Sequence, residues 1–133
     1  MDDGLRQLVR TRASNRCEYC RIPQAAIPFA RFHVEHIRAR QRGGDDGPDN
    51  LALACRRCNA FKGPNLTAID ALSGDIAPLF NPRLDAWDDH FEIEEFLIVG
   101  LTTVGRATVA LLNMNDPDRV QLRIELSQIG EQF

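Results

Sequence analysis

The hydrophobic positions fall into short periodic runs separated by polar or Gly/Pro-rich breaks. Leu5, Leu8 and Val9 share one face of a helix predicted over residues 4–14, with Arg6, Arg10 and Arg12 on the other. Pro23 and Pro28 make the next stretch a poor helix and a poor central strand, so it predicts an extended connection into a first strand at 32–37. Val34 and Ile37, then Leu51, Leu53 and Ala54, give two strand-like runs joined by a connection from Gly43 to Asn50. After Cys55 the pattern turns helical through Lys62, and Gly63-Pro64 stops it. Strand, loop, strand and short helix make a ββα unit.

Beyond residue 64 the pattern is less regular. Ser73-Gly74-Asp75 signals a turn, with Ile76, Leu79 and Phe80 expected to be buried. A short helix over 84–91 would set Trp87 and Phe91 on one side, at i and i+4. Residues 93–99 predict a strand. Residues 102–115 predict a helix with Val104, Thr108, Leu111 and Leu112 on one face. Asp116-Pro117 is an N-cap followed by Pro at the first helical position, and the last helix should run to about Ile129, before Gly130.

Composition adds little to this, and charge adds more. With 44% hydrophobic and 26% charged residues the chain is an ordinary globular protein of 133 residues. No apolar run approaches the ~20 residues of a membrane span, and the N-terminus lacks the apolar core of a secretory signal. The expected setting is the cytoplasm, where thiols stay reduced. The net charge of -3 hides an asymmetry. Residues 1–64 carry twelve Arg and Lys against seven Asp and Glu, whereas residues 65–133 carry four against twelve. An Arg-rich first half points mildly to a polyanionic partner, although a solvated basic face would read the same way.

The four cysteines are Cys17-x-x-Cys20 and, after thirty-four residues, Cys55-x-x-Cys58. Two such pairs in a reducing compartment read as a four-thiolate zinc site; the alternatives are unconnected thiols or a disulfide pair. Four protein ligands close a tetrahedral shell, so this zinc would be structural. The long insert between the pairs is the ββ unit itself.

With "HVEHI" at 33–37, "DNLALAC" at 49–55 and "RRCNAFKG" at 56–63, flanked by the two cysteine pairs, the chain resembles the HNH endonucleases, which have a ββα-metal active site. The resemblance is dense over residues 17–63. It implies that Glu35, where the family usually has Asp, ligates a catalytic divalent metal. It implies that His36 is the general base for the attacking water. Asn50 would fix the hairpin loop and the His36 ring, and Asn59 would be the second metal ligand. An imidazole titrates close enough to neutral pH to accept a proton from water, and oxygen ligands suit Mg²⁺ or Mn²⁺. His33 shares a strand face with Glu35 and stays open between a third metal ligand, a phosphate contact and a structural histidine. His90 lies outside the motif and is expected at the surface. Arg38, Arg40, Arg42, Arg56, Arg57 and Lys62 surround the motif as candidate phosphate contacts.

These readings predict an α+β protein. Residues 1–64 would form a ββα-metal module with its N-terminal helix and a four-cysteine zinc site, and 65–133 a small acidic α+β extension packed on the same domain. The expected activity is metal-dependent hydrolysis of phosphodiester bonds in DNA, with RNA as the alternative substrate and no membrane association. The competing reading is an inactive zinc module that binds nucleic acid or a protein partner.

Overall fold

The computed structural model describes residues 1–132. Helix α1 (Asp3–Arg12) begins where the Asp2 carboxylate accepts a hydrogen bond from Leu5 N at 2.7 Å. Val9 is its buried residue, while Leu8 is 48% exposed. Ser14 and Asn15 then take left-handed backbone angles and reverse the chain into the Cys17–Cys20 turn. Strands β1 (His33–His36) and β2 (Leu51–Ala54) pair antiparallel, His33 opposite Ala54 and His36 opposite Leu51. β2 is buried along its whole length, which its sequence LALA permits on both faces. The loop from β1 to β2 folds back so tightly that a Cβ on Gly44 would lie 1.7 Å from the Arg38 carbonyl oxygen. Helix α2 (Arg56–Lys62) is capped by Cys55, whose Sγ accepts from Cys58 N at 3.5 Å.

The second half departs from its predicted elements in three places. Strands β3 (Thr67–Ile69) and β4 (Ile76–Pro78) form a hairpin around the Ser73-Gly74-Asp75 turn. Leu79 and Phe80 are buried, but Ile76 is 73% exposed, paired across the hairpin with Ile69, which is exposed as well. The helix predicted over 84–91 shrinks to one turn, α3 (Trp87–His90), because Leu84 and Asp85 donate their amides to the Asn81 carbonyl in a preceding turn. The single strand expected over 93–99 is a hairpin, β5 (Phe91–Glu94) and β6 (Leu97–Gly100), which reverses at Glu95 and Phe96 with φ of +48° and +71°.

Helices α4 (Thr103–Leu111) and α5 (Pro117–Gln128) complete the chain. Asp116 caps α5 with Pro117 at its first position, as predicted. Gly105 of α4 sits hard against the α3–β5 junction, where a Cβ would lie 2.0 Å from the His90 carbonyl oxygen. One hydrophobic core joins the two halves: Val9, Tyr19, Phe32 and Leu53 pack in the same cluster as Phe80, Phe91, Ile98 and Leu112. Tyr19, Phe80 and Phe91 form edge-to-face pairs across it.

Candidate active site and metal centre

The Cys17, Cys20, Cys55 and Cys58 side chains come together from two turns. All four are buried, and their Sγ atoms lie within 4.8 Å of one another. Cys20 Sγ and Cys55 Sγ are 3.7 Å apart. Zn–S bonds of about 2.3 Å in a tetrahedron require S···S separations of about 3.8 Å, so the cluster matches a zinc cage and is far too wide for a disulfide. Within each pair the second residue's amide donates to the first residue's sulfur at 3.5 Å, which orients the lone pairs inwards. Burial holds the Cys17 thiol well above its ordinary pKa, and hydrogen bonding within the cluster, led by Cys17, does the same for Cys58. Hydrogen bonds led by Cys17 push Cys55 far down. Four sulfurs this close ionise together only around a cation.

The second group lies on the ββα unit. His33, Glu35, His36 and Asn59 line one open groove with Ala39, Arg40 and Gly63. The adjacency of α2 to β1 brings Asn59 to the strand. Glu35 is 7% exposed. Its Oε1 accepts from the Tyr19 hydroxyl, and its Oε2 is 3.2 Å from Lys62 Nζ. Burial raises the Glu35 pKa, against the pull of the Lys62 ammonium. His36 is half-buried, and its Nε2 lies 2.7 Å from Asp46 Oδ1. Arg40 donates to both oxygens of Asp46, and with His36 it holds that carboxyl down at a pKa of about 2. A charged carboxylate accepts, so Nε2 carries the proton of the neutral ring and Nδ1 keeps its lone pair.

Two expectations are corrected here. Lys62 is 2% exposed and donates to Glu35 Oε2 and to the His36 and Ile37 carbonyls at 3.2 and 2.8 Å. It is a buried brace and has no face to offer a phosphate. Asn50 fixes the loop, donating to the Arg38 and Asp45 carbonyls and accepting from Arg38 N, but the His36 ring is held by Asp46. Arg38, Arg42 and Arg56 are exposed. Arg40 is tied to Asp46, and Arg57 to Asp116 at 2.8 Å. His90 is half-buried, with Nδ1 2.6 Å from Thr102 Oγ1 and its ring edge-on to Phe80.

Sequence reasoning missed several residues. Tyr19 and Asp46 carry no motif signal, because their partners are sixteen and ten residues away. A second basic groove, lined by Asp3, Arg6, Gln7, Arg10 and Arg31, runs beside the start of β1. Its α1 residues sit at i, i+3, i+4 and i+7, a spacing that was legible in the sequence.

The model of the HNH endonuclease family matches residues 17–65, the stretch that supplies both cysteine pairs, the hairpin and α2. Over that stretch the chain is similar to the HNH endonucleases. The chain is also 27% identical over 116 residues to the Septu protein PtuB of Bacillus thuringiensis, an alignment that covers 81% of this chain. The chain spans about 40% of the length of that curated relative. No solved structure matches. No helix among the described residues is long and apolar enough to cross a membrane.

Proposed function

We propose that this chain is a divalent-metal-dependent endonuclease that hydrolyses phosphodiester bonds in DNA, with His36 as the general base. One observation carries the reading: the HNH segment sets His36 on the groove shared with Glu35 and Asn59, with its Nε2 turned to Asp46. Asp46 and Arg40 orient the ring, and Nδ1 is left to take the proton from a water. Asn50 holds the loop that carries Asp46. Arg38, Arg42 and Arg56, with the Arg6, Arg10 and Arg31 groove, position the backbone on either side without reading its sequence.

The donor set suits a hard ion held weakly. Each Glu35 oxygen keeps a lone pair beyond its bond to Tyr19 or Lys62, and Asn59 and His33 line the same groove. A divalent ion held by Glu35 and Asn59 would stabilise charge on the phosphate and the leaving oxygen. The four cysteines would hold zinc separately, for structure.

A second reading, a zinc-braced module that binds nucleic acid or a partner without cutting, gains from the same Glu35 contacts, since Lys62 already neutralises the carboxylate. Plasmid nicking with Mg²⁺ or Mn²⁺ separates the two. The nuclease reading expects cleavage that mild EDTA stops without unfolding the protein, that added Mn²⁺ restores, and that His36→Ala slows by roughly 10²–10⁴-fold while zinc content is kept. Binding without nicking in either metal, or cleavage at the wild-type rate in His36→Ala, would overturn it.

A further inference from the structure

Two arginines of α5 are buried where no carboxylate meets them. Arg119 is 7% exposed and Arg123 fully buried, and neither forms a salt bridge among the described residues. Arg123 donates to neutral oxygens: the Phe96 carbonyl at 2.9 Å, Asn115 Oδ1 at 3.3 Å and the Met114 carbonyl. Arg119 brings Nη2 to 3.7 Å from Cys55 Sγ. A guanidinium does not shed its proton inside a protein, and a buried charge without a counter-charge is strongly destabilising. The anion source that Arg119 touches is the cysteine cluster. Burial disfavours the charge on Arg123, Cys20 acts in the opposite direction, Arg119 opposes the charge in turn, and Cys58 and Cys55 favour it.

Four thiolates around one divalent ion leave two negative charges in excess, and the Arg119 guanidinium at Cys55 Sγ supplies a positive one. Residues 65–133 contain only four basic residues, and two of them are buried on α5. We propose that α5 is the counter-charge of the cysteine site, so that zinc binding and docking of the 65–133 half are one coupled equilibrium. This goes beyond the nuclease reading and stands whether or not the chain cuts. It gives the acidic extension a role: it completes the shell outside the sulfurs and keeps water from them.

The test uses the full chain and zinc itself, in competition with a chromophoric chelator. Arg119→Gln should weaken zinc binding by about 10–100-fold, the usual cost of losing a partner just outside the ligands. Arg119→Lys, which keeps the charge, should recover most of that loss. Hydrogen exchange on the wild-type chain needs no variant: on zinc removal the α5 amides should lose protection together with those of the two cysteine turns. Zinc affinity unchanged in Arg119→Gln would overturn the proposal. Equal weakening in Gln and Lys variants would also overturn it, since charge would then not be the cause. So would α5 amides that stay protected in the zinc-free protein.

Discussion

At the scale of single residues, the buried pair of Lys62 and Glu35 decides much of the site. The ammonium is held by one carboxylate and two carbonyls, all out of water. Removing one partner of such a pair leaves an uncompensated charge, so Lys62→Met should destabilise the fold by about 3–5 kcal/mol in denaturant titrations. The salt dependence of DNA binding by any folded fraction should stay that of the wild type, because Lys62 has no exposed face. A slope reduced by one phosphate contact would instead return Lys62 to the interface. Asp46 predicts something different. Its truncation to Ala should lower kcat by up to about 10²-fold through misplacement of the His36 ring, with KM little changed, whereas His36→Ala should lower it by roughly 10²–10⁴-fold. The cysteines were legible from their spacing, while Glu35, His36, Asn50 and Asn59 became candidates only through the family resemblance. Tyr19, Lys62 and Asp46 as partners were not legible, because a hydrogen bond between distant residues leaves no periodic trace in a single sequence.

At the scale of elements, hydrophobic period located α1, β1 and β2 well, and the Gly63-Pro64 stop and the Asp116-Pro117 cap bounded α2 and α5. The β5–β6 hairpin escaped because Glu95 and Phe96 occupy left-handed turn positions that usually call for Asn or Gly. Ile76 escaped because a short hairpin leaves one of its faces to solvent. The β3–β4 hairpin is anchored to α4 through Asp70, whose two oxygens accept from Arg106 at 2.9 and 2.8 Å. Arg106 holds the Asp70 carboxyl below its usual range. An acid depressed on folding stabilises the protein above its unfolded pKa, about 3.9, and loses that contribution as pH falls through the folded value. Wild type should therefore melt above Asp70→Asn at pH 6, and the gap between them should narrow as pH drops below about 4. A gap that stays constant down to pH 2 would mean that the carboxylate charge is not the source.

At the scale of the whole molecule, the division at residue 64 marks a change in charge that the core ignores. Tyr19 lies between two cysteines yet packs on Phe80, and the Glu18 carboxylate joins Leu53 N to Arg83. Excised residues 1–64 would expose that surface, so this fragment should show little protected amide structure even with zinc, while the full chain unfolds in one transition. Zinc binding energy is then part of the stability of the whole, and Cys58→Ser should unfold both halves together. Two transitions in calorimetry of the zinc-loaded chain would refute this.

The chain holds a single tryptophan, and its position makes it an optical reporter. Trp87 donates its indole N–H to the Tyr19 carbonyl at 2.7 Å, inside the first cysteine turn, and lies under the Arg21 guanidinium 4.6 Å from the ring centroid. Opening of that turn strips the indole of both neighbours and wets it. Emission should shift to the red as zinc is withdrawn, which would let the metal state of the protein be followed by its own fluorescence, without a dye or a label.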